Sequence, residues 1–197
     1  MKILIDNGHG ENTLGKRSPK WPDGTQLFEW AYTREIAQRV ESELLKKGID
    51  AERIVKENVD ISLSERCKRA NAIATKVGVK NCFLVSIHNN AASGTAQGWE
   101  VHTYIKSSKT SDDDATVFWE TAKELLPAGT KMRRPTATGC PAWKSNFAII
   151  RDTICPAILT ENLFMDNPDD CRYLLSPEGK TAIVNIHVQS ILKIAGK

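Results

Sequence analysis

Paired cysteines are the first thing this chain of 197 residues lacks. Its five cysteines, Cys67, Cys82, Cys140, Cys155 and Cys171, are odd in number, widely spaced and without a C-x-x-C pair. Neither a disulfide framework nor a thiolate zinc knuckle is suggested, and reduced thiols in a chain made in the cytosol are the default. Charge of one sign is not in excess either: the formal net charge is +3, and acids alternate with bases as in Lys123-Glu124 and Glu65-Arg66. A nucleic-acid-binding surface needs a concentrated basic face, whereas mild attraction to an anionic polymer does not. No apolar run approaches the length of a membrane span. The amino end, Met1-Lys2-Ile3-Leu4-Ile5-Asp6, enters a strand-like run at once and leaves no room for a signal peptide. The expectation is a chain made in the cytoplasm that meets an extracellular target after release, or a trimmed chain. Repeats, low-complexity tracts and linkers are absent, and the length suits one domain over residues 1–197.

Branched and aromatic residues predict strands at 3–6, 51–55, 82–87, 99–104, 147–150 and 157–160. Between them, Leu27, Ala31, Ile36, Val40 and Leu44 share one helical face, and Gly48 supplies a stop. Ser62-Leu63-Ser64-Glu65 reads as a capping box opening a second helix. Two more helices are expected, from about 115 to 126 and from Pro177 to Ile194 with Ser176 as N-cap. This alternation predicts an α/β fold: a single three-layer domain whose twisted, mostly parallel six-stranded sheet carries helices on both faces. Residues 127–145, crowded with Pro127, Gly129, Pro135, Gly139 and Pro141, read as a long loop, and loops of that length are usually functional.

In open α/β sheets, ligands bind beyond the carboxyl ends of the strands. Those ends hold Gly8-His9-Gly10, Ser86-Ile87-His88-Asn89-Asn90 and Thr160-Glu161-Asn162, and Glu29 opens the first long helix. Two histidines and a glutamate form the ligand set of a catalytic zinc site with one position left for water, and a second carboxylate could take that water's proton. Each residue also has a plainer role. His9 could simply pack, Glu29 could answer the helix dipole, and Glu161 could cap a helix, although a carboxylate straight after Pro156-Ala157-Ile158-Leu159 is costly to bury. His102 and His187 read as packing or solvent-facing residues.

In chain order these pieces resemble the zinc-dependent N-acetylmuramoyl-L-alanine amidases of the amidase-3 type, found in bacterial cell-wall hydrolases and phage endolysins. The resemblance rests on Gly8-His9-Gly10; Glu29; Asp60-Ile61-Ser62-Leu63 with Arg66, Ala70 and Asn71; Ser86-Ile87-His88-Asn89-Asn90-Ala91; Gly98-Trp99-Glu100; and Glu161-Asn162-Leu163-Phe164-Met165-Asp166-Asn167. It implies that His9, Glu29 and His88 bind Zn2+, that Glu161 is the catalytic carboxylate, and that the reaction is hydrolysis of the amide between N-acetylmuramic acid and L-alanine in peptidoglycan. Asn7 stands where many relatives have proline, and Asn162-Leu163 where a glycine often precedes the phenylalanine. Glu35 is the rival to Glu29 as a ligand. Asn90, Arg133, Arg134 and Trp143 are candidates to hold glycan or stem peptide. The alternatives are a zinc peptidase or carboxypeptidase acting on the stem peptide and a non-catalytic peptidoglycan-binding relative. No separate wall-binding domain is expected, and resemblance to endolysins implies that access to the wall depends on lysis or a holin.

Overall fold

The computed structural model describes residues 1–136 and 139–197; the two remaining positions of the expected 127–145 loop lie outside the described residues. In chain order the elements are β1 (Lys2–Asn7), α1 (Glu29–Lys46), β2 (Asp50–Arg53), α2 (Leu63–Val77), β3 (Cys82–Asn90), β4 (Glu100–Tyr104), α3 (Lys109–Leu125), β5 (Trp143–Ser145), α4 (Ala148–Arg151), β6 (Ala157–Phe164), α5 (Pro168–Leu175) and α6 (Pro177–Ile194). The strands form one six-stranded sheet in the order β2-β1-β3-β6-β4-β5. The pairings run parallel except where β4 meets β6 head to tail.

Period-two alternation distributes the strands' apolar residues to two cores. Ile3, Ile5, Phe83, Val85 and Ile87 pack beneath α1, α3 and α6 with Ile36, Val40, Phe118, Ile183 and Ile186. Leu4, Leu84 and Leu159 face the other way, against Cys67, Ala70 and Ala74 of α2 and Ile149 and Ile150 of α4. Ile3, Leu4 and Ile5 are wholly buried, each worth roughly 1.5–3 kcal/mol. Strand β1 is therefore a rigid base for the turn that follows it. Among the described residues no helix is long and apolar enough to cross a membrane.

Ser62 and Ser176 cap α2 and α6 as expected, their hydroxyls accepting from Glu65 N at 3.3 Å and Gly179 N at 2.9 Å. Three local expectations need correction. The apolar run 147–150 is a helical turn, not a strand; it buries Ile149 and Ile150 on α2's side, and periodicity cannot separate strand from helix in so short a run. The fifth strand is instead Trp143–Ser145, inside the segment expected to be loop, where it pairs with β4. Helix α3 begins at Lys109, earlier than expected, because the Ser108 hydroxyl accepts from Ser111 N at 3.1 Å and caps a polar first turn. Helix α5 has no counterpart among the expected elements. Asn167 caps it through Asp169 N and Asp170 N, and Pro168 takes its first position.

Candidate metal and catalytic site

The chain leaves β1 through Gly8, and His9 adopts a left-handed backbone with φ 62°, a conformation uncommon outside glycine. Two buried arginines hold it there. Nη2 of Arg34 donates to the His9 carbonyl at 2.9 Å and Nη2 of Arg66 donates to the same oxygen at 3.0 Å. Arg66 also donates to Asp6 Oδ1 at 2.7 Å, Asn7 O at 2.6 Å and Asp60 Oδ1 at 3.0 Å. The second carboxylate oxygen of Asp6 accepts from the Ser86 hydroxyl at 2.5 Å, tying β1 to β3. Gly10 approaches the Asp60 backbone so closely that a Cβ would fall 2.0 Å from its nitrogen.

Glu29 is the first residue of α1, but its carboxylate turns to the histidines and does not cap its own helix. Oε1 lies 3.2 Å from His88 Nδ1 and accepts from Asn89 N at 3.0 Å; Oε2 lies 3.3 Å from His9 Nε2. The two imidazole rings meet edge to face, 5.0 Å between centroids. One ligand atom from each of His9, Glu29 and His88 falls within 4.8 Å of the other two, so the three could hold a metal ion. Each Glu29 oxygen approaches a different imidazole nitrogen, at 3.2 and 3.3 Å, near the roughly 3.4 Å between tetrahedral ligands about 2.1 Å from zinc. Apart from the His9 imidazole at 3.3 Å, Glu29 Oε2 is buried with no hydrogen-bond partner among the described residues, an arrangement that costs free energy unless a cation satisfies it. The donor set therefore fits zinc. Burial alone would raise the Glu29 carboxyl, but His88 and His9 outweigh it and hold the group well below the usual carboxylate range. Glu35 is not in this cluster. It lies half-exposed further along α1, paired with Lys180 at 2.7 Å and Arg39 at 3.6 Å.

Glu161 sits in β6 directly opposite His88 of β3. Its Oε2 is buried and, among the described residues, without a hydrogen-bond partner. Burial pushes its pKa up to about 8; His88 pulls it down, while Glu29 and Glu100 push it further up. Across the other edge of β6, Glu100 faces Glu161 in register, and it is itself 5% exposed. The antiparallel run of β4 brings this third carboxylate to the carboxyl end of β6. Asn90 Nδ2 donates a short hydrogen bond to Glu100 Oε1, and Arg133 Nε stands 3.4 Å from that oxygen. Burial raises the Glu100 carboxyl, and Arg133 partly offsets it. In the sequence Glu100 stands out only within Gly98-Trp99-Glu100, and nothing there marks the strand as reversed.

The structure thus brings His9, Glu29, His88, Glu161, Asn90 and Arg133 together. Trp143 lies further along, in β5 opposite His102, its indole nitrogen buried and without a partner among the described residues. Arg134 goes elsewhere, its guanidinium 5.6 Å from the ring of Trp119 in α3. His102 donates to or accepts from Ser145 Oγ at 2.8 Å, and His187 is wholly buried between Thr160 and the Ile183 carbonyl. Both remain packing residues.

An α/β sheet that gathers two imidazoles and a carboxylate beside a second, buried carboxylate has the layout of a metal-assisted hydrolase domain. The sequence agrees: residues 3–193 match the N-acetylmuramoyl-L-alanine amidase family, and the chain belongs to it. It is 29% identical over 196 residues to an endolysin of Bacillus phage SPP1, covering 98% of this chain and 65% of that protein. It is 28% identical over 195 residues to the N-acetylmuramoyl-L-alanine amidase CwlM of Bacillus licheniformis, covering 98% of this chain and 68% of that one. The chain thus spans about two thirds of the length of these curated relatives. Among solved structures, the N-acetylmuramoyl-L-alanine amidase from Clostridium difficile 630 superposes with a TM-score of 0.83 at 25% identity, covering 100% of this chain and 97% of that one.

Proposed function

We propose that this chain is a zinc-dependent N-acetylmuramoyl-L-alanine amidase that cleaves the amide between N-acetylmuramic acid and L-alanine in peptidoglycan, so contributing to cell-wall lysis. The observation that carries this is the juxtaposition of His9, Glu29 and His88 with the buried, unpartnered Glu161 carboxylate, in a chain of this family. Zinc held by the three ligands would polarise the scissile carbonyl and acidify a water molecule. Glu29 contributes charge as well as geometry, since it stays ionised beside both imidazoles. Glu161 serves as the general base: its free Oε2 receives the proton of the attacking water and returns it to the amine of L-alanine as the bond breaks. Burial raises the Glu161 carboxyl, and a carboxylate of raised pKa is the stronger base toward the water proton.

The test is digestion of purified peptidoglycan by the zinc-loaded chain, with and without a chelator. New L-alanine amino termini beside intact glycan strands, lost on chelation, are expected. Cuts within the stem peptide would assign a peptidase instead, and absence of any cut with zinc bound would leave a wall-binding role. Glu161→Gln is expected to abolish turnover, by at least about a hundredfold, with zinc content unchanged.

A further inference from the structure

Arg133 stands at the rim of the site with one side of its guanidinium committed and the other open. Its backbone is fixed alongside the start of β4: Trp99 N donates to Lys131 O and Arg133 N to Trp99 O, each at 2.9 Å. Its Cζ lies 5.1 Å from the centre of the Phe164 ring, within the range of a cation–π contact. Nε faces Glu100 Oε1 at 3.4 Å, close enough for ion pairing but long for a hydrogen bond. Among the described residues, Nη1 and Nη2 have no hydrogen-bond or ion-pair partner, although the side chain is only 28% exposed. A guanidinium held on one edge by a carboxylate and on one face by an aromatic ring keeps its outer fork ready for a planar anion, and a carboxylate fits that fork in bidentate fashion.

The placement of this fork selects which carboxylate. His88, Glu161 and Glu100 occupy directly opposed positions on three neighbouring strands, which spans about 10 Å at roughly 4.8 Å per strand. Arg133 lies just beyond Glu100. In a muramyl peptide, the first residue past the scissile amide is L-alanine. The second is a glutamyl residue, linked onward through its side chain, whose α-carboxyl is either free or amidated. An extended chain covers about 3.5 Å per residue, so that α-carboxyl lies about 7 Å from the scissile carbonyl. With the carbonyl over Glu161, one strand spacing of about 4.8 Å reaches Glu100, and the remaining 2 Å or so brings the α-carboxyl alongside the guanidinium that faces Glu100.

We propose that Arg133, held by Glu100 and Phe164, is a specificity-determining residue that binds the free α-carboxylate of the second stem-peptide residue. This rests on the amidase reading above. Amidation of that carboxyl removes the charge and one acceptor oxygen, so the amidated stem is the poorer substrate. The loss of a charge-assisted bidentate contact corresponds to about ten- to a hundredfold.

The experiment measures kcat/KM of the zinc-loaded chain on two synthetic substrates, N-acetylmuramoyl-L-alanyl-D-glutamate and its D-isoglutamine counterpart, for the unaltered protein, Arg133→Gln and Arg133→Lys. The unaltered protein should favour the free acid by about ten- to a hundredfold, chiefly through KM. Arg133→Gln should bring the acid-to-amide ratio to about one, and Arg133→Lys should restore part of it. A merely structural role would lower both substrates alike and leave the ratio in place, which overturns the proposal. So does an equal rate on both substrates, or a preference for the amide, in the unaltered protein. Cleavage of neither substrate, together with no cleavage of whole peptidoglycan, would instead bring down the amidase reading and this proposal with it. Thermal melting of each variant shows whether it has folded, and Arg133→Lys carries the comparison if Arg133→Gln has not.

Discussion

Gly8 lies flat against the imidazole of His88: a Cβ built on it would fall 2.4 Å from Cε1 and 2.5 Å from Nδ1. Real Cβ atoms do not approach so closely, and the ring is tied to Glu29 through Nδ1 at 3.2 Å, a contact that any retreat would break. Gly8→Ala is therefore expected to displace His88 and weaken zinc binding by about tenfold or more, with the melting temperature little changed because neither core is touched. Competition with a chromogenic chelator measures it. Unaltered affinity would mean that His88 is not a ligand.

Glu29 and Glu35 share α1 but not a role. Glu29→Gln removes the charge between His9 and His88 and should strip most of the metal, whereas Glu35→Gln breaks only a half-exposed pairing with Lys180 and Arg39. Such surface pairs contribute about 0–1 kcal/mol. Metal analysis of the two purified variants checks this, and loss of metal from Glu35→Gln alone would reverse the assignment.

Arg66 positions His9 from behind. Arg66→Lys keeps a positive charge near Asp6 but loses the fork that reaches Asn7 O, His9 O and Asp60 together. Zinc affinity should fall about 10–100-fold in a folded protein. Arg66→Leu leaves Asp6 as an uncompensated buried charge, and it should cost about 3–5 kcal/mol of stability, read by urea denaturation.

His187 gives the fold an acid-sensitive contribution. Burial holds its pKa down to about 4, from an ordinary value of 6.5. Between those values the unfolded chain takes up a proton that the folded chain refuses, so this contribution is complete above pH 6.5 and is lost as pH falls toward 4. Asp114 and Glu161, raised by burial to about 6 and about 8, act in the opposite sense. The contribution of His187 is isolated by difference. The unaltered protein should exceed His187→Gln in stability at pH 7.5, and the gap should shrink toward pH 4.5 in parallel urea titrations; a constant gap would contradict it.

How far the molecule is legible in its sequence depends on the range of the signal. The placement of His9, Glu29, His88 and Glu161 at one edge of the sheet is legible because each follows a strong local pattern, an apolar run ending in a polar residue or the first turn of an amphipathic helix. Helix α6 is legible to the residue, since Ser176 and Pro177 mark its start chemically. Strand β5 is not, being three residues long and held by pairing with β4. Nor is the clamp on His9. Arg34 and Arg66 lie 25 and 57 positions from it in sequence, and no local pattern announces that two guanidiniums will converge on one carbonyl. The left-handed turn at His9 belongs to the same class: flanking glycines hint at crowding but do not fix the sign of φ.

The reversal of β4 against β6 divides the labour of the site along a single seam. On one side, β1, β3 and the start of α1 supply His9, His88 and Glu29; on the other, β4 and the segment bridged to it at Trp99 and Met132 supply Glu100 and Arg133. Glu161 stands on β6, between the two. If Arg133 reads the stem as proposed, a graft that exchanges β4 together with residues 127–145 for those of a relative is expected to change which stems are accepted and to leave metal binding at His9, Glu29 and His88 as it stands. The two sides of the sheet thus meet at Glu161, the candidate metal ligands on one and the Glu100–Arg133 pair on the other.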